Sequence, residues 1–434
     1  MNKVLSTDSN EIISVKMLKI GIWAYFILLI FEGALRKWFL PGLSTPLLVV
    51  RDPIAIWLIY ICWKKNLLPS NFYLLGMSFI GLLGVITALL FGHGSLSVAI
   101  FGARILLIHF PIMFIIGTIF DREDVIQIGR ILLWISIPMA VLIALQFYSP
   151  QSAWVNRGIG GDIEGAGFSG SQGYFRPPGT FSFTSGNVLY FSFTACYVFY
   201  FWISQTKINK YILIGSTVAL FASIPLSISR TLLFSIIITF IFTLIATIGK
   251  TKFLIRMILS IIIGSILLLV LSQTPFFQVA LGAFTERFIN ANNTEGGVSS
   301  SIADRVFGGM ITAITDSNDL PFFGYGLGMG TNAGSALLTG KRTFLIAEGE
   351  WLRFVGELGF VMGIIALLIR ILFCIDISIK SFKILRLGDI LPWILLSFGL
   401  MLILRGQWAQ PTVLGFSTLI GGLILASTKN KITI

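Results

Sequence analysis

A chain of 434 residues that is 56% hydrophobic, 13% aromatic and only 12% charged, with a mean hydropathy of +0.91, has too little polar surface for a soluble globular protein. The same figures exclude a disordered, fibrous or disulfide-scaffold chain, so the sequence reads as a polytopic, all-α integral membrane protein. The excess of 31 Lys and Arg over 19 Asp and Glu, a formal charge of +12, then points to cytoplasmic loops and anionic lipid headgroups rather than nucleic acid.

About 20 apolar residues in a helix cross the ~30 Å hydrocarbon core. Twelve runs meet that requirement, near 17–34, 44–62, 71–91, 95–119, 124–148, 185–204, 210–225, 230–248, 253–272, 350–375, 389–404 and 411–427. No small-residue cleavage site follows the first run, which reads as a retained helix rather than a signal peptide. With the N-terminus inside, the inner loops and tails hold sixteen Lys and Arg and the short outer loops six, an asymmetry that places both termini in the cytoplasm. Cys62, Cys196 and Cys374 all lie in apolar runs and imply neither a disulfide framework nor a zinc site. The whole of 1–434 reads as a single membrane domain.

Two outer segments stand apart. Residues 149–184 form a Gly-rich loop that includes Arg176-Pro-Pro-Gly-Thr-Phe181. Residues 273–349 form one large loop between spans 9 and 10. In it Ile302, Val306, Met310 and Ile314 recur at helical spacing after Ser300 and Ser301, which predicts an amphipathic helix on the outer membrane face. The Gly324–Gly330 run has no strand before it and reads as a turn rather than a dinucleotide loop.

Ionisable groups at membrane depth are costly and mark paths or sites. The outer half collects Arg36, Arg51 with Asp52, Arg176, Arg230, Arg305, Arg353 and Arg405. Guanidinium groups pair bidentately with phosphate and stay charged, so several meeting at one leaflet suit a diphosphate headgroup whose lipid tail lies alongside. Ser229-Arg230-Thr231 follows Pro225, and Ser227 or Ser229 can cap a helix whose free N–H groups favour an anion. A snorkelling arginine at a helix start explains the same residues without a ligand. In Glu348-Gly-Glu-Trp-Leu-Arg-Phe-Val-Gly-Glu-Leu-Gly359, Glu350 and Arg353 are i,i+3 neighbours and Arg353 and Glu357 are i,i+4 neighbours. A self-neutralised strip accounts for Glu357. It fits Glu348 less well, because Glu348 has no basic neighbour at those spacings, and a carboxylate there could accept a proton from a hydroxyl. His93 and His109 read as structural. No metal motif is present, and no cofactor is implied.

Four of these stretches together resemble the O-antigen polymerase and O-antigen ligase superfamily, from about residue 30 to the end. Arg176-Pro-Pro-Gly-Thr-Phe181 with Ser185-Gly-Asn187 is similar to the family's stretch before a central span. Ser229-Arg230-Thr231 is similar to its Ser-Arg span start. Pro321-Phe-Phe-Gly-Tyr-Gly-Leu-Gly328 resembles a segment of its large periplasmic loop, and Glu348 to Gly359 the segment opening the next helix. Each motif is short; their order around one oversized loop is more specific.

The resemblance implies a GT-C-like, metal-independent glycosyltransferase of the bacterial inner membrane. It would use an undecaprenyl-diphosphate-linked glycan at the periplasmic face, among membrane lipids and with a chain-length regulator as partner. Carried over by position, Arg176, Arg230 and Glu348 are the catalytic candidates. Arg305, Arg353, Arg51, Arg405, Glu350 and Tyr325 are the candidates for holding diphosphate and glycan.

Where the family's ligases carry a histidine this chain has Glu348, which favours a polysaccharide polymerase over a ligase transferring to a lipid A-core acceptor. Glu32-Gly-Ala-Leu-Arg-Lys-Trp-Phe-Leu-Pro41, with Arg51-Asp52-Pro53, also resembles exopolysaccharide polymerase-like members. The rival from another class is a transporter or flippase for lipid-linked oligosaccharides. Such proteins usually show two related halves, whereas the two halves here differ in loop length. A scaffold without catalysis would not call for buried arginines.

Overall fold

The computed structural model describes residues 9–248, 272–294, 320–341 and 343–429, with residue 315 and a scatter between 255 and 270. The chain is mainly helical. Among the described residues nine helical segments are long and apolar enough to cross a membrane, and two shorter apolar helices, Lys210–Leu226 and Leu391–Arg405, accompany them. Eleven of the twelve expected runs overlap one of these helices, two of them (210–225 and 389–404) only with the shorter ones. The run 253–272 falls mostly outside the described residues, as does the expected amphipathic helix at 302–314.

In chain order the helices are α1 (Ser9–Ala34), α2 (Asp52–Lys64), α3 (Phe72–Leu90), α4 (Leu96–Arg104), α5 (Phe110–Ile119) and α6 (Arg122–Tyr148). The hairpin strands β1 (Phe168–Ser171) and β2 (Tyr174–Arg176) follow. Then come α7 (Thr184–Ile203), α8 (Lys210–Leu226), α9 (Arg230–Thr247), α10 (Pro275–Thr294), α11 (Asn332–Thr339), α12 (Glu350–Leu358), α13 (Phe360–Arg386), α14 (Leu391–Arg405) and α15 (Pro411–Thr428).

The spans that run through α7, α4–α5 and α15 are the most deeply buried, while α2, α3 and α9 turn much of their apolar surface outward. Trp63, Phe79 and Leu90 are more than 60% exposed, as expected for side chains facing lipid. Small residues let the central helices approach closely. A Cβ at Gly421 would lie 2.4 Å from Met113 Sδ, and one at Gly422 would lie 2.5 Å from Ile116 Cβ. At one end of the bundle Lys19 pairs with Asp121 at 2.8 Å and Arg122 with Asp389 at 2.7 Å. The long connections 149–183 and 320–349 gather at the other.

Two α-helical ladders are broken by a π turn, Leu35–Phe39 after α1 and Ile105–His109 between α4 and α5. Both carry buried ionisable residues, Arg36 and Lys37 in the first and His109 in the second. Such turns often mark functional positions because the wider ring re-aims a side chain.

The single run expected at 350–375 is two elements. Gly359, at φ 79° and ψ 167°, ends α12 and starts α13. A Cβ there would lie 2.0 Å from Phe322 O, and one at Gly324 would lie 2.4 Å from Gly359 N, so the glycine turn 321–328 lies directly on this break. Substitution by alanine would combine a backbone conformation essentially restricted to glycine with a collision against main chain. We expect Gly359→Ala to lose about 3 kcal/mol or more, read as lost folded yield and a lower Tm in detergent. Gly340 has a similar positive φ of 73° but nothing within 4 Å of its Cβ position. Gly340→Ala should cost only about 1–2 kcal/mol.

Candidate functional site

The Gly-rich loop is largely fixed rather than loose. Gln172 and Gly173, at φ 53° and 77°, make the two-residue turn of the β1–β2 hairpin, as an I′-type turn requires. The ladder pairs Phe168 with Arg176 and bulges at Gly170. Beyond it, Pro177 to Phe181 are buried. Gly179 is held on both backbone groups by Gln146, its N–H donating to Oε1 at 2.8 Å and its carbonyl accepting from Nε2 at 3.1 Å. Lys37 Nζ donates to the same carbonyl at 2.6 Å. Thr180 Oγ1 donates to Ile30 O at 2.6 Å, and a Cβ at Gly33 would lie 2.4 Å from Ser182 N. The Pro-Pro-Gly-Thr-Phe motif therefore works as an anchor that fixes where Arg176 stands.

Gly170 is the meeting point of three arginine-bearing elements. Its Cβ position lies 2.7 Å from Ile228 Cδ1 and 3.5 Å from Arg176 Cγ. Arg287 Nη1, on α10, donates to Gly170 O at 3.5 Å. Ile228 precedes Ser229, the N-cap of α9, whose Oγ accepts from Leu232 N at 3.4 Å, and Arg230 is the first residue of that helix. Ile228 is itself at φ 46°, an outlier for a β-branched residue and a sign of local strain beside the site.

Arg176 has no acidic partner among the described residues, and its Nε is buried without a hydrogen bond. Its guanidinium lies 4.6 Å from the centroid of the Phe168 ring. Burial, and then the charge of Arg287, push its pKa down to about 10. The charge thus costs stability at all pH values below about 10, and the cost fades only as pH rises from there towards 12.5. Arg176→Gln should therefore stabilise the ligand-free protein at neutral pH by about 1 kcal/mol, once solvent screening of this partly exposed group is allowed for, and so raise its Tm.

Glu348 is exposed and forms no ion pair among the described residues. Its backbone carbonyl accepts from Gln407 Nε2 at 2.7 Å. Gln410 Nε2 donates to Gln407 Oε1, and Ser185 Oγ on the first turn of α7 donates to Gln410 Oε1 at 3.4 Å. Phe183, two residues before Ser185, stands edge-on to Phe168 at 5.5 Å. A continuous path of contacts thus joins Arg176 through Phe168, Phe183, Ser185, Gln410 and Gln407 to Glu348. Among the described residues no direct contact joins the two; the path between them runs through these residues.

Other expected site residues are placed differently. Arg353 gives Nε and Nη2 to Glu350 at 3.0 Å each and Nη1 to Glu357 at 2.8 Å, all buried. Glu350 also accepts from Arg370 Nη1 at 2.8 Å, and Glu357 from Gly330 N at 2.9 Å. The strip is self-neutralised, and it includes Arg370, which is not an i,i+3 or i,i+4 neighbour. Glu350 and Arg353 therefore face inward, and their role is to hold α12, α13 and the glycine turn together. Arg51 also faces inward. It is 2% exposed and donates to Glu32 at 3.3 Å, Tyr25 OH at 3.4 Å and Pro411 O at 2.6 Å.

Around Arg51 a second buried cluster forms. His109 bridges Tyr25 OH at 2.8 Å and Asp52 at 3.0 Å, and Arg104 pairs with Asp52 at 3.3 Å. His93 is structural too, with its Nε2 3.1 Å from Leu327 O. Tyr325 lies in the glycine turn, its N–H donating to Gly356 O at 2.8 Å and its ring 39% exposed. Arg405 ends α14 half-buried and has no acidic partner among the described residues. Arg305 lies outside the described residues.

Sequence reasoning missed Gln407, Gln410 and Arg287. Uncharged amides between two spans carry no depth penalty, so nothing in the sequence marks them out. Arg287 reads as one more charge in a long loop until α10 brings it to Gly170. Among the described residues no group of three or more His, Cys, Asp or Glu could hold a metal ion. No family model, curated protein or solved structure matches this chain.

Proposed function

We propose that this chain is a membrane-embedded glycosyltransferase that takes a glycan from a polyprenyl-diphosphate carrier and joins it to a lipid-linked repeat unit, as a bacterial polysaccharide polymerase does. The observation that carries the reading is the convergence at one end of the bundle. Arg176, uncompensated by any described acid, stands beside the start of α9 and is linked by packed rings and amides to the backbone of Glu348, a residue exposed at this end. In this reading that end faces the periplasm, and the diphosphate rests against Arg176, Arg230 and Arg287, with Arg305 and Arg405 further candidates. The polyprenyl tail lies among the spans.

The chemistry is a single displacement. The acceptor hydroxyl oxygen attacks the anomeric carbon, and the carbon–oxygen bond to the diphosphate breaks with its electron pair leaving on the phosphate oxygen. Glu348 takes the hydroxyl proton. Preorganised guanidinium groups act where negative charge accumulates, on the departing diphosphate. A carboxylate at 348 in place of a histidine favours polymerase over ligase.

Purified protein in detergent, given undecaprenyl-diphosphate-linked repeat units extracted from cells lacking it, should produce a ladder of lengthened glycans. A transporter has nothing to transport there and would produce none. A transfer that requires a lipid A-core acceptor would instead assign the ligase reaction.

A further inference from the structure

The turn between α14 and α15 is clamped from inside by one arginine of each buried cluster. Arg370 donates through Nη2 to Gly406 O at 3.3 Å and to Ile403 O at 2.7 Å, and lies 3.8 Å from the centroid of the Trp408 ring. Arg51 donates through Nη2 to Pro411 O at 2.6 Å. Both guanidinium groups are buried, so the two ends of the turn, at Gly406 and Pro411, are fixed by charge-assisted bonds that solvent does not screen. Trp408 goes down into the core at 1% exposure, while Gln407 and Gln410 stay partly exposed on the other side.

These amides are only half used. A glutamine amide offers two N–H donors and a carbonyl oxygen with two lone pairs. Gln407 spends one donor on Glu348 O and one lone pair on Gln410, and Gln410 spends one donor on Gln407 and one lone pair on Ser185. Among the described residues each keeps a donor and an acceptor, in a partly exposed turn that holds the backbone of Glu348. Neighbouring hydroxyls of a pyranose ring present the same alternation of donor and acceptor, and a rigid planar amide meets them with little entropy lost.

We propose that Gln407 and Gln410 form the subsite for the acceptor sugar, with Arg51 and Arg370 acting as positioning residues through the turn. The assignment rests on the glycosyltransferase reading and adds the part of the site that recognises hydroxyls rather than phosphate. It also gives the two buried clusters a shared task.

The test separates this subsite from the arginine site by using a probe that lacks both phosphate and lipid. The repeat-unit oligosaccharide, released from its carrier by mild acid, is titrated into the full-length protein in detergent and followed by saturation-transfer NMR and calorimetry. We expect Gln407→Ala and Gln410→Ala each to weaken binding about tenfold, with a Tm within about 2 °C of wild type. Arg176→Ala should bind the oligosaccharide as wild type does. Gln410→Asn, which keeps the amide, should recover part of the loss.

Binding within twofold of wild type in both alanine variants overturns the subsite, even where Arg176→Ala and Glu348→Gln abolish transfer. Equal losses of binding and Tm overturn it in favour of a purely structural turn. An oligosaccharide that fails to bind wild-type protein also overturns the subsite. If wild-type protein does not elongate lipid-linked repeat units, the enzymatic reading fails with it.

Discussion

On the proposed reaction, Arg176→Ala should lower the rate of glycan transfer in detergent by roughly 30- to 1000-fold, about 2–4 kcal/mol of transition-state stabilisation. The reason lies in the setting of this one side chain. Its guanidinium is partly buried, has no described acid to neutralise it and sits near the like charge of Arg287. Two cations kept together with no counter-ion among the described residues suit an anion that arrives later. Lysine at 176 should restore little, because an ammonium on a flexible stem does not reproduce the bidentate fork. The distinguishing feature is the opposite sign of two readouts: activity falls while Tm rises. A residue that merely held the loop would lower both. Glu348→Gln, which removes a proton acceptor and keeps the shape, should cost roughly 10²–10⁴-fold and leave Tm unchanged. Full activity in both variants would remove these residues from the reaction.

Glu350→Ala has the largest expected effect on stability. Glu350 is 3% exposed and is the acceptor for two guanidinium groups, Arg353 on α12 and Arg370 on α13. Without it Arg370 keeps only carbonyl partners for its charge, and Arg353 keeps only Glu357. Breaking a buried pair from one side leaves a desolvated charge behind, and the cost is typically 3–5 kcal/mol. We expect little folded protein and, in what folds, a Tm lowered by several degrees in detergent. Glu350→Gln should recover part of the loss because it keeps hydrogen-bond acceptance without the charge. A double variant, Glu350→Leu with Arg370→Leu, should be milder than Glu350→Ala alone, since it deletes charges on both sides of the pair.

The two predictions separate the arginines into two kinds. Arg51, Arg353 and Arg370 are consumed by the protein itself, and their partners are acids or carbonyls at fixed distances. Among the described residues Arg176 is not, and Arg287 has one long bond, to Gly170 O. Because the first group fixes the glycine turn and the α14–α15 turn, the loops at the candidate site rest on ionic struts within the bundle.

The sequence by itself determined that the chain is built of apolar helices and where most of them begin and end. Its composition admits no soluble core, and single apolar runs report their own length against a hydrocarbon layer. It also located the motifs that meet at one end, and it read the i,i+3 and i,i+4 ionic strip correctly, since both depend on neighbours along the chain.

The tertiary structure alone decided which arginines are already paired. Glu350 to Arg370 and Arg51 to Glu32 and Pro411 are bonds between residues far apart in sequence, and no spacing rule reaches them. It also split the run 350–375 at Gly359, because the main chain of Phe322 and Gly324 occupies the space that a side chain would need. The hairpin that carries Arg176 to Ile228, and the two amides beside Glu348, likewise became legible only once distant segments were packed together. Periodicity records how a segment meets its solvent, whereas a site depends on which segments meet one another.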